Sequence, residues 1–240
     1  MIVDHTNRRV LEVLEFRDKA TVVKYLQEKK ASGLLAEVVE VTCDMWDGYV
    51  EAAREVFGPD VIVTIDRFHV MKNLQEQLTA SRREIQRELP KEEAAELKGS
   101  RWLWQFNPEN LDEKQGTELT RLRVLFPRLA QLGDQREALR QIFEDRTITD
   151  AATGATRLQA WMAAARSLGL TALNKFCKTL ENWLPKISNY FVSRSSNGPT
   201  EGFNNGLRTL LRRCYGMCNF QNFRLRVLDR FGRPKTQDST

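Results

Sequence analysis

Residues 37–66, EVVEVTCDMWDGYVEAAREVFGPDVIVTID, read as strand, helix and strand in succession. The first eight residues are rich in valine and suit a strand, whereas MWDGYVEAAREVF repeats apolar residues at helical spacing. Trp46, Tyr49, Val50, Ala53 and Phe57 fall on one face. VIVTID closes the stretch as an apolar strand of the kind buried on both faces. A strand, helix and strand joined by such short connections form a right-handed unit with the two strands side by side and parallel. Asp44 and Asp66 each follow the last apolar residue of their strand. The unit therefore predicts both carboxylates at one carboxyl edge of the sheet, where open α/β folds build sites. An aspartate between a strand and a helix is also a common N-cap, and Asp66 ahead of RFHVMKNL fits that role.

Toward the amino end, MIVDHTNRRVLEVLEF alternates through a polar turn centred on Asn7 and predicts a β-hairpin whose second strand runs through Val10 and Val13. DKATVVKYLQEKK then predicts a helix ended by a Ser-Gly break, so the order becomes β-β-α-β-α-β. Beyond the central stretch, Asp66, His69 and Asn73 share one helix face, while Phe68, Met71, Leu74 and Leu78 form an apolar one. His69, one of two histidines, suits orienting a carboxylate or touching a phosphate, or is an ordinary satisfied histidine.

From about Arg82 to Pro185 the pattern is helical throughout. This predicts strands and helices over residues 1–81, a helical insertion domain over 82–185 and a closing segment over 186–240. Within the insertion, RWLWQF, residues 101–106, mixes cationic and aromatic side chains. Burial in the core is the favoured reading, and stacking on nucleic-acid bases the other.

A chain of 240 residues with 41% hydrophobic and 29% charged side chains can bury the core of one large domain or two small ones. No apolar run approaches the roughly 20 residues that span a bilayer, and MIVDHTNRRV lacks the apolar core of a signal peptide, so no membrane partner is expected and a cytoplasmic location is. Cys43, Cys177, Cys214 and Cys218 contain no CxxC pair and read as reduced packing thiols. The net charge is +5, and residues 201–240 hold eight basic against three acidic side chains, a surplus as large as that of the whole chain. Arginines spaced along helices suit a phosphate backbone or form a solvated basic face.

The closing segment carries SNGPTEGFNNGLRTLLRR, residues 196–213. Pro199 suits a first helical turn; Asn197, Glu201, Asn204, Arg208 and Arg212 then recur along a polar face, opposite Phe203, Leu207, Leu210 and Leu211. Glu201 is well placed against the helix dipole, which accounts for the carboxylate but not for the asparagines around it. A carboxylate on such a helix, beside two aspartates at a strand edge, is what holds two Mg²⁺ or Mn²⁺ ions about 4 Å apart for phosphodiester chemistry.

The blocks D-x-W-x-x-Y at Asp44, D-x-F-H-V at Asp66 and N-G-x-x-E-G-x-N-N at Asn197 together resemble the transposases of the ISL-three group of bacterial insertion sequences, over almost the whole chain. The resemblance implies a ribonuclease H-like α/β (α+β) fold, a mixed sheet interrupted by a large all-helical insertion. It also implies an Asp, Asp, Glu site that uses Mg²⁺ or Mn²⁺ to cut and join double-stranded DNA at element ends and target. By motif, Asp44 is the second aspartate and Glu201 the glutamate, both catalytic and both metal ligands. Asp66 and His69 accompany them, as do Asn197 and Asn204, while Arg208, Arg212, Arg213, Arg224 and Arg226 are expected to hold the DNA backbone. A homo-oligomer and a place at the bacterial nucleoid go with that function. The family's first aspartate has no counterpart here, because Met1 begins within the second strand and Asp4 lies at the hairpin turn. The family's N-terminal zinc-binding and helix-turn-helix regions have none either. The expectation is a carboxyl-terminal portion whose sheet lacks its first strand, leaves strand edges unpaired and cuts DNA poorly alone. The alternative is a non-catalytic remnant that binds DNA or a full-length transposase.

Overall fold

A computed structural model describes residues 1–214, 216–217 and 219–233. In chain order the elements are β1 (Ile2–Asp4), β2 (Arg9–Glu12), α1 (Lys19–Ala31), β3 (Glu40–Cys43), α2 (Asp47–Phe57), β4 (Ile62–Ile65), α3 (Arg67–Glu88), α4 (Lys91–Glu96), α5 (Glu113–Leu125), α6 (Pro127–Glu144), α7 (Ala151–Arg166), α8 (Thr171–Ser188), α9 (Tyr190–Ser193), α10 (Gly198–Arg213) and α11 (Phe220–Phe231). Short 3₁₀ turns at Ser100–Trp102 and Pro108–Asn110 follow α4. The chain is a mixed α/β protein, mostly helical, and its first six elements follow the β-β-α-β-α-β order read from the sequence. Two compact units divide it: Met1–Val63 with the chain from Ser195 onward, and Thr64–Arg194. Among the described residues no helix is long and apolar enough to cross a membrane.

In the first unit β1 and β2 pair antiparallel, with Val3 opposite Val10 and Asp4 opposite Arg9. The hairpin turns because the Asp4 carboxylate accepts hydrogen bonds from the backbone and side chain of Asn7, at 2.9 and 2.7 Å, and from Arg9 Nε at 3.3 Å. This is the short-range chemistry that favours aspartate and asparagine in turns. β3 and β4 form a separate two-stranded sheet, Ile62 N–H donating to the Val39 carbonyl. α1 starts where Asp18 caps the backbone of Thr21, and its Val22, Val23 and Leu26 pack with Ala52 and Val56 of α2. A second cluster joins Val10 and Val13 of the hairpin to Val227 of α11, with Phe203, Leu207 and Leu210 of α10 against it. Of the apolar face expected on α10, Phe203, Leu207 and Leu210 are thus used on the hairpin and α11.

The second unit is helical, with α3 continuous across residue 82 and α8 across residue 185. Its core collects side chains such as Leu74, Leu139, Leu158, Leu173, Phe176 and Ile187, all 1% exposed or less. The buried stripe of α3 is Val70, Leu74, Leu78, Ser81 and Ile85. Phe68, expected on the apolar face, is instead 48% exposed. Spacings of four and three from Val70 hold one face inward, and Phe68 falls to its flank. Cys43 and Cys177 are buried and Cys214 is half-buried; Cys218 lies outside the described residues.

Candidate catalytic and DNA-binding site

Asp44 follows β3 directly, and its carbonyl accepts the Trp46 N–H at 2.8 Å, which starts the turn into α2. Its carboxylate is one-third exposed and stands 3.8 Å from Nη2 of Arg17. The Arg17 guanidinium lies over two rings at once, 5.5 Å from the centre of Trp46 and 5.3 Å from that of Tyr49. Those rings meet edge to face at 4.5 Å. A Cβ on Gly48 would come within 2.4 Å of the Trp46 indole, so the residue between the rings has to be small. The D-x-W-x-x-Y spacing therefore builds an aromatic seat that holds a cation beside Asp44. Burial pushes the Tyr49 phenol up, against the pull of Arg17. Nothing in the sequence pointed to Arg17, which belongs to the loop before α1.

Glu201 lies in the first turn of α10, half-buried, with its N–H donated to the Asn197 carbonyl at 2.8 Å. Asn197 occupies the N-cap position without a side-chain cap bond, Pro199 fills the first turn as expected, and Asn204 is half-buried one turn on. Two polar contacts tie this segment to the front of the chain. Ser195 donates its hydroxyl to Glu40 Oε2 on β3 at 3.1 Å, and Thr200 Oγ1 lies 3.5 Å from His5 Nε2 at the hairpin turn. Asp44 and Glu201, far apart in sequence, thus belong to one compact unit.

Asp66 and His69 lie in the second unit. Asp66 is fully buried and starts α3 through its backbone, its carbonyl accepting from His69 and Val70; the carboxylate makes no capping bond. The side-chain cap that the sequence suggested is therefore not what this carboxylate does. His69 Nε2 stands 4.0 Å from Asp66 Oδ2.

Arg208, Arg212, Arg213 and Arg226 are exposed on α10 and α11. Arg208 is steadied by Asn205 Oδ1 at 2.8 Å, and Arg226 reaches the Cys214 sulfur at 3.3 Å. Arg224 differs from the expected DNA contact. Its Nε and Nη2 grip both oxygens of Glu12 at 2.6 and 2.5 Å, and Glu12 is 5% exposed. A guanidinium holding a buried carboxylate has a structural task, which any contact of Arg224 with a DNA backbone would have to share.

Asp44 and Glu201 offer hard oxygen donors of the type Mg²⁺ takes, and Mg²⁺ is commonly held by one or two carboxylates together with water and substrate phosphates. Among the described residues no group of three or more His, Cys, Asp or Glu side chains is gathered to hold a metal ion. The further oxygens of such an ion would come from water and substrate phosphates.

The chain is 27% identical over 231 residues to the transposase for insertion sequence element IS1001 of Bordetella parapertussis, covering 95% of this chain and 55% of that protein. It is also 27% identical to the transposase for insertion sequence element IS1557 of two Mycobacterium tuberculosis strains, over 90% of this chain and 52% of theirs. It thus spans about half the length of these curated relatives. A 55-residue stretch is 42% identical to an ATP-dependent protease of Lactococcus lactis, over 23% of this chain, too short a match to describe the whole. No solved structure matches. A family model described as transposase, of the ISL-three type, matches residues 1–227. The chain belongs to the ISL-three-type transposase family.

Proposed function

We propose that this chain carries the carboxylate face of a DDE-type transposase that cleaves and joins DNA strands at insertion-sequence ends, with Asp44 and Glu201 as metal ligands and Mg²⁺ or Mn²⁺ as the cofactor. The observation that carries the reading is the folding of two distant family blocks into one compact unit, Asp44 at the end of β3 and Glu201 in the first turn of α10, with Ser195 bonded to Glu40 between their elements. Interruption of that unit by the helical stretch Thr64–Arg194 supports a ribonuclease H-like core carrying a helical insertion, with the insertion's bounds at 64 and 194 in place of the 82 and 185 read from the sequence.

When bound, the metal supplies charge neutralisation at the scissile phosphate and an activated water or hydroxyl. The chain's own residues hold and orient. Asp44 is kept in place by Arg17 on its aromatic seat, and the first turn of α10 presents Glu201 at the positive end of the helix dipole. Arg208, Arg212 and Arg213 extend along the same helix toward its carboxyl end, where guanidinium groups suit DNA phosphates and fix the register of the duplex against Glu201. Asp66 and His69 are assigned an accompanying role, and double-stranded DNA is the partner.

The test uses duplexes carrying the element's own ends, incubated with the chain and Mg²⁺ or Mn²⁺. The weak cleavage expected of the chain alone should be abolished by Glu201→Gln and by Asp44→Asn, each of which removes a metal ligand, with DNA affinity retained. Cleavage that survives both substitutions would falsify the assignment. DNA binding by a chain that never cleaves would favour the non-catalytic alternative.

A further inference from the structure

We propose that Arg101, Trp102 and Phe106 form a stacking platform for an unpaired nucleotide of DNA, an inference that rests on the proposed function only for the nature of the nucleic acid. The RWLWQF segment is sorted by the 3₁₀ turn at Ser100–Trp102. Trp104 turns its Nε1 to the Ser100 hydroxyl at 3.4 Å, and the buried Gln105 donates to Thr79 Oγ1 at 2.7 Å. Trp102 and Phe106 point the other way and are 55% and 42% exposed, against the burial that the sequence favoured. Their rings are nearly parallel, 23° between planes and 6.3 Å between centres, with the Arg101 guanidinium 4.9 Å from the Trp102 ring centre.

The segment is held at its ends by named bonds. Arg136 donates to the Phe106 carbonyl at 3.3 Å and to Asn107 Oδ1 at 2.6 Å, fixing the backbone beneath Phe106 as the Trp104 and Gln105 contacts fix it beyond Trp102. Large rings held outward on a fixed backbone bind with little ordering cost.

Charge selects the occupant. An adjoining cleft is lined by Arg82, Arg101 and Trp104. Arg82 is held there by the Leu97 carbonyl at 2.7 Å and the Ser100 hydroxyl at 3.5 Å, and the positive charges of Arg101 and Arg83 both bear on it. Aromatic faces beside clustered arginines suit a base and its phosphate. Bases inside a duplex present only their edges and are stacked on one another, so a ring-on-face contact requires a nucleotide that has left the stack.

The experiment compares two otherwise identical duplexes in EDTA, one with a single unpaired 2-aminopurine and one fully paired, reading affinity by anisotropy and stacking by 2-aminopurine fluorescence. The chain should bind the unpaired duplex roughly tenfold more tightly and quench the probe. Trp102→Ala and Phe106→Ala should each abolish most of that preference, Trp102→Phe should keep it, and affinity for the paired duplex should not change. Unchanged far-ultraviolet circular dichroism verifies that these exposed-site variants fold. Arg212→Ala with Arg213→Ala should weaken both duplexes alike and leave the preference intact. The proposal is overturned if Trp102→Ala weakens both duplexes equally, if the preference ignores it, or if it alters only self-association in sedimentation. Because EDTA removes cleavage, failure of the Glu201 assignment leaves this preference standing, and loss of the preference leaves that assignment standing.

Discussion

The two compact units bury their chains by different means. The second is one continuous stretch whose helices contribute regular leucine and aromatic stripes, and its largest side chains are sealed from solvent. The first is assembled from both ends of the described chain, α10 contributes no fully buried residue, and α11 contributes Val227 alone. What the first unit lacks in apolar depth it makes up with polar links between distant segments, Glu12 to Arg224 and Ser195 to Glu40 among them. Local periodicity thus builds the helical unit, whereas the candidate catalytic unit depends on a few specific long-range bonds.

The largest expected effect tests how tightly the helical unit is packed. A methyl at Gly154 on α7 would sit 2.1 Å from Cδ2 of Phe191, which is 1% exposed and stacked on Phe143 with 3° between ring planes. Gly154→Ala should destabilise by about 3 kcal/mol, at the upper end of overpacking costs and despite a helix-propensity gain of about 1 kcal/mol. Urea denaturation measures it, and Phe191→Leu should recover much of the loss. A neutral Gly154→Ala would mean the second unit yields as readily as the first, and the contrast would disappear.

The ion pair of the first unit is next in size. Arg224→Met leaves the Glu12 carboxylate in its buried place with the Val13 N–H as its remaining bond at 2.9 Å. Removing one partner of a buried pair costs about 3–5 kcal/mol, but the Arg224 side chain is 32% exposed and water can reach part of the gap, so about 2 kcal/mol is expected. Hydrogen exchange should locate the loss in β1, β2 and α11. A uniform loss over both units would blunt the comparison.

These two sites also mark what could be read in advance. Hairpin, alternating strands and helices, and the apolar face of α10 were legible because each follows from residues near one another in sequence, as with the Asp4–Asn7 turn. Arg224 read as a DNA contact because nothing local reveals that Glu12 lies behind it. Arg17 was invisible for the same reason, since its seat is made by Trp46 and Tyr49. Trp102 and Phe106 were assigned to the core on composition, and only the turn that faces Trp104 and Gln105 inward sends them out. At Asp66 the position was right for a cap and the side chain took another direction.

The smallest effect probes the polar junction from a neighbouring residue. Tyr25 on α1 is 6% exposed, and its hydroxyl has no hydrogen-bond partner among the described residues. Burial pushes its pKa up to about 12, Glu12 adds to the rise, and Arg224 and Arg9 oppose it. An unfolded tyrosine ionises near 10. Below pH 10 both states keep the proton and stability does not depend on it. Between 10 and 12 the unfolded chain releases the proton first, so stability falls as pH rises. Tyr25→Phe removes that dependence: the variant should lie within about 1 kcal/mol of the parent at pH 7, slightly favoured by loss of an unsatisfied hydroxyl, and gain about 1.4 kcal/mol relative to it at pH 11. Denaturant midpoints at the two pH values measure both numbers. In the Arg224→Met background the carboxylate of Glu12 acts on the phenol without its counter-charge, so the gain at pH 11 should hold or grow. Parallel stability curves for parent and variant would mean that the phenol is open to water, and that the hairpin, α1 and α11 do not enclose the junction that separates the first unit's construction from the second's.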